Sequence, residues 1–187
     1  MSRWEPNGRD RLAQAALELY AERGFDQTTV AEIAERAGLT ERTFFRHFAD
    51  KREVLFGGQN VLSDAMAGVI DEADESVSPI DAVAAALHAV AAVVGQRPDF
   101  SRQRQALIDS HPGLRERELI KLATLTEATV AALRRRGVGE PAASLAAEAG
   151  IAVFKIAYER WITLPGAHDL SYYIQESIDE LKAVTAG

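Results

Sequence analysis

The 187-residue chain has no cysteine, which excludes disulfides, thiolate chemistry and Cys-ligated zinc and fits a reducing compartment. It has no run of about 18 apolar residues of the kind that spans a bilayer. Its opening, MSRWEPNGRDR, lacks the apolar stretch of a secretory signal. A cytoplasmic protein without a membrane partner is therefore expected. Catalytic motifs are missing too: there is no H-E-x-x-H, G-x-S-x-G, Walker loop or G-x-G-x-x-G. A di-iron bundle would place Glu three residues before a ligand His, and those positions hold Phe44, Ala85, Ile108 and Pro165. No enzyme activity, metal or cofactor is expected.

Positive charge is also scarce. The chain has 21 Lys and Arg against 28 Asp and Glu, a formal net charge of −7, and residues 1–56 hold nine of the former against ten of the latter. That balance predicts weak non-specific attraction to nucleic acid, so any binding must come from local clusters, since attraction is screened beyond about 10 Å at 0.1 M salt. Size is not limiting. At this length roughly 70% of the unfolded surface can be buried, enough for one compact domain or two small ones.

What is present is concentrated in residues 24–52, GFDQTTVAEIAERAGLTERTFFRHFADKR. Thr29-Val30-Ala31-Glu32 has the T-x-x-E form of a capping box, in which hydroxyl and carboxylate satisfy the orphan donors of a helix start. Val30, Ile33, Ala34 and Ala37 follow at the spacing of one buried helical face, and Gly38 supplies the positive φ that ends it. Thr40 then caps a second helix through Phe48, with Leu39 as a plug between the two. On that helix Phe44 and Phe48 share the inner face, leaving Arg42, Thr43 and Arg46 outside. A guanidinium can bond guanine in bidentate fashion, so this layout is that of a helix-turn-helix reading DNA bases. The alternative for such a charge cluster is a solvated helix face, and Arg46 can pair with Asp50 four residues on. Asp50-Lys51-Arg52-Glu53 repeats the cap and is expected to open a further helix.

The residues 16–20, Gly24-Phe25, Thr28-Thr29-Val30, Ile33-Ala34, Ala37-Gly38, the string from Thr43 to Phe48, and Lys51 together resemble the tetracycline-repressor (TetR) family of bacterial regulators. The match covers roughly residues 6 to 66. The resemblance implies an all-α homodimer of about nine helices. A three-helix DNA-binding domain (6–66, helix-turn-helix about 29–48) would precede a larger effector-binding and dimerisation domain (67–187). It implies a repressor released from an inverted-repeat operator by a small molecule. The expected DNA-binding set is Arg42 and Thr43 on bases and Thr29, His47 and Lys51 on phosphates, with Arg46 on the same exposed face and Thr40 at a helix start whose backbone donors face the DNA. Arg3, Arg9 and Arg11 add positive charge near the start. Phe45 stands where the family often has Tyr, whose hydroxyl can bond a phosphate. Phe45 cannot, so apolar contact, as with a thymine methyl, is expected of it.

The remainder reads as helices with clear punctuation. The fourth is expected from Lys51 to about Ala73, with Gly57-Gly58 inside it as either a packing notch or a soft point. Ser78-Pro79 caps the next, which ends near Gly95; Pro98 opens another through Asp109; a long one reaches Arg136 before the Gly137–Pro141 breaker. Arg134, Arg135 and Arg136 fall in a last turn, where cations suit the helix dipole, and are read as structural. Residues 142–164 are apolar on more than one face, and with 169–184 are expected to pair with a second copy as a four-helix bundle through Trp161 and Ile178. For the effector, His88, Arg104, His111, Phe154, Tyr158 and Trp161 are candidate walls of a mostly apolar cavity, each with core or interface packing as the alternative. A competing function class is a helical dimer acting as a protein-binding adaptor.

Overall fold

The computed structural model describes residues 8–186, all of them helix, turn or connecting segment. Arg3 lies outside those residues. The α-helices are α1 (Gly8–Arg23), α2 (Val30–Arg36), α3 (Glu41–His47), α4 (Gln59–Glu72), α5 (Pro79–Val94), α6 (Pro98–Ser110), α7 (Pro112–Arg135), α8 (Ala142–Thr163) and α9 (Leu170–Thr185), with a 3₁₀ turn at Glu53–Phe56. The expected all-α fold is the observed one.

The chain divides into two compact units: residues up to Gly57 with Gln103–Glu118, and Gly58–Arg102 with the residues from Leu119 onward. In the first, α1 packs on α2, α3 and the 3₁₀ turn. It buries Leu12, Ala16, Leu19 and Tyr20, while Ile33, Phe44, Phe48, Val54, Leu55 and Phe56 are buried on the elements around it. In the second, α5 lies against α4, α8 and α9. Its buried stripe of Ala82, Val83, Ala86, Leu87, Val90 and Ala91 belongs to a core with Ile151, Trp161, Tyr173, Ile174 and Ile178. The α5–α8 approach is close enough to require a residue without a side chain. A Cβ on Gly150 would stand 2.3 Å from Val83 Cγ1.

Two sequence expectations are corrected here. The fourth helix does not start at Lys51: Asp50 Oδ1 accepts the backbone N–H of Arg52 at 2.7 Å and of Glu53 at 3.0 Å, but the turn it caps is the short 3₁₀ segment. Gly57-Gly58 then separates that turn from α4. Gly57 is the packing notch, because a Cβ there would lie 2.6 Å from the Phe48 ring, whereas Gly58 faces open space. The second correction concerns the proposed seam residues: Trp161 (6% exposed) and Ile178 (1%) are core residues of the single chain. Its own α5, α8 and α9 bury most of what the sequence left uncovered, and the outward apolar residues on α8 are Leu145 (66%) and Ile156 (55%).

Of the three basic residues expected to be structural at the end of α7, Arg135 and Arg136 are, and Arg134 is exposed with no hydrogen bond or ion pair among the described residues. Arg135 pairs with Asp71 at 2.8 Å, and Arg136 donates to the carbonyls of Ala73, Asp74 and Val77, closing the α4–α5 turn.

Candidate nucleic-acid interface

α2 and α3 form because each begins at a threonine in extended conformation whose hydroxyl takes up an orphan backbone donor. Thr29 and Glu32 make the full reciprocal box, with Glu32 Oε2 accepting the Thr29 N–H at 2.8 Å and the hydroxyl at 2.9 Å. Those bonds hold the Glu32 carboxyl below its ordinary pKa, the backbone N–H of Thr29 being the largest cause. The helix ends in a Schellman motif: Leu39 N–H donates to Ala34 O at 2.8 Å and Gly38 N–H to Glu35 O at 2.9 Å. Gly38 has φ +65°, the left-handed conformation that glycine adopts without steric cost. At the start of α3 the Thr40 and Thr43 hydroxyls are 3.0 Å apart, and Thr43 N–H donates to Thr40 Oγ1 at 3.2 Å. Phe44 (0% exposed) and Phe48 fasten the inner face of α3, and Arg42, Phe45 and Arg46 point out.

The first unit sorts its cations sharply. Eight Lys and Arg lie between positions 8 and 56. Arg11 donates to Ala37 O, Arg23 pairs with Glu32 at 2.7 Å, Arg36 with Glu22 at 2.9 Å, and Arg52 with Asp50 at 2.8 Å. Arg9 lies 5.5 Å over the Phe48 ring. Lys51 donates to the carbonyls of Phe25 (2.9 Å), Asp26 (3.2 Å) and Thr28 (2.9 Å), and sits 4.6 Å over the Phe25 ring. Arg42 and Arg46 have no hydrogen bond or ion pair among the described residues.

This changes the role of Lys51. Its three ammonium donors match three carbonyls of the α1–α2 turn, so it clamps that turn rather than pointing toward a phosphate. The Arg46–Asp50 alternative is not what forms, because Asp50 binds Arg52. Burial acts to raise the Asp50 pKa, but hydrogen bonds from the Arg52 side chain and the Glu53 and Arg52 backbone outweigh it and leave it lowered. His47 is half-buried, near Gly8 at the start of α1.

The effector candidates separate into two groups. Arg104 and His111 belong to the first unit. Arg104 donates to Leu55 O at 2.7 Å and to Glu118 at 3.3 Å, and His111 Nε2 lies 3.1 Å from Asp26 Oδ1 with its ring edge-on to Phe25. His88 bridges α5 to α9, with Nδ1 2.6 Å from Ser171 Oγ and Nε2 3.2 Å from Gln175 Oε1. Both ring nitrogens of His88 and the Arg104 guanidinium already serve the protein's own groups, whereas His111 uses only Nε2 and its Nδ1 is buried without a hydrogen-bond partner. Phe154, Tyr158 and Trp161 do come together, as a ladder along α8 with centroids 5.7 and 5.8 Å apart, and the Tyr158 hydroxyl donates to Ser101 O at 3.3 Å. A separate open groove of about 450 Å³ is lined by residues of α7 with Ser144 and Glu148 of α8, and none of the six candidates lines it. Sequence reasoning missed the clamp made by Lys51; three carbonyls converging on one point leave no trace in residue spacing.

Comparison with known proteins decides the family. Residues 12–56 match the bacterial regulatory proteins of the tetR family, and residues 77–186 match the MftR C-terminal domain. The chain belongs to the TetR family. Its relatives include the transcriptional regulator TcmR of Streptomyces glaucescens, 30% identical over 76% of this chain and 61% of TcmR. The match thus spans less than two thirds of the TcmR chain. In fold it is similar to FadR from Bacillus subtilis in complex with stearoyl-CoA (TM-score 0.64, 18% identity, 92% of this chain and 96% of that one). It is similar also to SmeT in its triclosan complex (TM-score 0.66, 19% identity, 96% and 91%). Among the described residues no single helix is long and apolar enough to cross a membrane, and no His, Asp and Glu cluster could hold a metal ion.

Proposed function

We propose that this TetR-family chain is a cytoplasmic, homodimeric repressor that binds an inverted-repeat operator and leaves it when a small, largely apolar effector binds. The reading domain is the N-terminal one, about residues 6–66, and the effector and dimer functions fall to the rest. Arg42, Thr43 and Arg46 enter the major groove, while Thr29, Thr40 and His47 hold phosphates. The observation that carries this reading is the pair of partner-free guanidinia, Arg42 and Arg46, on the exposed face of a helix whose neighbours' cations are all engaged. A two-fold dimer repeats the half-site at about 34–36 Å or a multiple of it.

The outer face of α8, with Leu145 and Ile156, together with Tyr172 of α9, is the dimer seam in this reading, since these large apolar residues stay exposed in the single chain. Ile156→Arg should sediment as a folded monomer, whereas Trp161→Arg should fail to fold. For the effector site, Phe154, Tyr158 and Trp161 are the residues retained. Apolar effectors are supported by the acyl-CoA and triclosan named in the complexes of structural relatives. The test is selection of bound sites from random DNA, followed by gel shift of the enriched site with stearoyl-CoA or triclosan added. Enrichment of a palindrome is the expected result; failure to enrich any site would overturn the reading, and release by neither compound would remove those two as effectors.

A further inference from the structure

Arg9 and Arg11 stand at the start of α1, where positive charge opposes the helix dipole, so α1 itself is not stabilised by them. Both reach instead to the ends of α3. Arg11 Nη2 donates to the carbonyl of Ala37, the C-cap of α2 and one of the end-of-helix carbonyls that have no intrahelical partner. The next residue leaves it room: a Cβ on Gly38 would lie 2.8 Å from that same nitrogen. At the other end of α3 the Arg9 guanidinium lies 5.5 Å over the ring of Phe48, the C-cap, and a Cβ on Gly57 would stand 3.1 Å from its Nη2. Gly8 completes the grip. A Cβ there would meet Leu39 Cδ1, in the turn before α3, at 3.5 Å and His47 Nε2, in the last turn of α3, at 3.6 Å. With seven residues α3 is too short to hold itself by its own hydrogen bonds, so its placement is set by what it packs against.

We propose that Arg11 and Arg9 are positioning residues of the reader: by holding the turns at both ends of α3 they fix its rotation and depth in the major groove, and so set base selectivity without touching DNA. This rests on the DNA-binding reading of α3. A bidentate contact from a guanidinium to a base edge needs hydrogen-bond distance and alignment, and it weakens steeply when the helix that carries it turns or slides. Attraction to phosphates decays over about 10 Å at 0.1 M salt and hardly senses such a displacement. Loosening the grip therefore lowers specific binding and spares non-specific binding. Positive charge offered to phosphates, the use expected from the sequence, is the competing role for the same two arginines.

The experiment measures the full-length protein on its selected operator and on random DNA across a salt series, at a temperature where each variant is folded. Arg11→Met should fold, since the side chain is exposed. It should weaken operator binding about tenfold, within the loss expected of one misplaced base contact, while affinity for random DNA and the salt slope stay at parent values. Arg9→Leu keeps an apolar stem against Phe48 and should lose about threefold, the value of a partly exposed cation–π contact. Arg11→Lys keeps the charge but not the planar fork and should recover only part of the loss. In an Arg42→Ala background the loss from Arg11→Met should shrink, because it passes through that base contact. A salt slope lower by about one unit, full rescue by Arg11→Lys, or a tenfold loss that persists unchanged without Arg42 would make these arginines phosphate contacts and overturn the inference. So would unchanged operator selectivity in both Arg11→Met and Arg9→Leu. Absence of specific binding in the parent would instead defeat the DNA-binding reading itself.

Discussion

α2 and α3 are both seven residues long, begin at a threonine cap and carry arginine, yet their side chains do opposite things. On α2, Thr29 and Glu32 bond each other, Glu32 also holds Arg23, and Arg36 holds Glu22. On α3, Arg42 and Arg46 hold nothing, and Phe45 stands in solvent. The difference teaches that charge composition does not locate a DNA-binding face in an acidic protein. Within residues 8–56, what sets α3 apart is that Arg42 and Arg46 remain after internal carboxylates, carbonyls and rings have taken the other cations. α2 is a support whose polar groups build the scaffold, whereas α3 leaves the Arg42 and Arg46 guanidinia without a partner among the described residues, as the proposed reading role requires.

The comparison breaks most readily at the core of α3. Phe44→Ala should cost about 3–5 kcal/mol of stability by chemical denaturation, because a fully buried ring leaves a cavity, whereas Phe45→Ala one position on should change stability little. Equal losses from both would mean that Phe45 also packs. Next comes the clamp: Lys51→Met removes donors from three carbonyls and should destabilise the protein by about 1–3 kcal/mol while leaving the salt slope of operator binding unchanged in the folded protein. A slope reduced by about one unit would restore Lys51 to the phosphate contacts.

Breaking the support helix should have a smaller effect. Thr29→Ala removes the capping box and should cost about 0.5–2 kcal/mol, visible as a lower Tm. The smallest effect is pH-dependent. Glu32 has its folded pKa held below the ordinary 4.5 by the Thr29 backbone and side chain, then by Arg23. Its contribution is therefore complete above the unfolded value and declines as pH falls through the lower folded one. Glu32→Gln should lose that part of the acid-side slope in a Tm series from pH 6 downward, and an unchanged slope would show that the carboxylate contributes nothing.

Much of the reader was legible in the sequence because it is built from local signals. The Thr29 box, the Gly38 stop, the Thr40 cap and the Phe44/Phe48 face all act within four residues, and each forms where its spacing indicated. Failures occurred where distant groups converge. Lys51 is claimed by carbonyls 23 to 26 residues away, and the α1–α2 turn that presents them gives no sign in the spacing of residues. Trp161 and Ile178 look like seam residues by apolar excess alone, but both are buried in the core that α4, α5, α8 and α9 build within the single chain. His88 was legible as a hydrogen-bonded residue or a ligand contact, and its partners Ser171 and Gln175 lie too far along the chain for the sequence to decide.

The most direct test of the central claim is a paired measurement of operator affinity against salt concentration for two double variants, Arg42→Ala with Arg46→Ala and Arg23→Ala with Arg36→Ala, each at a temperature where it is folded. The first should lose about 1–3 kcal/mol per base contact and its preference for the operator over random DNA, and the second should bind like the parent despite a lower Tm. Full specific affinity in the first variant together with its loss in the second would contradict the assignment of α3 as reader and α2 as support.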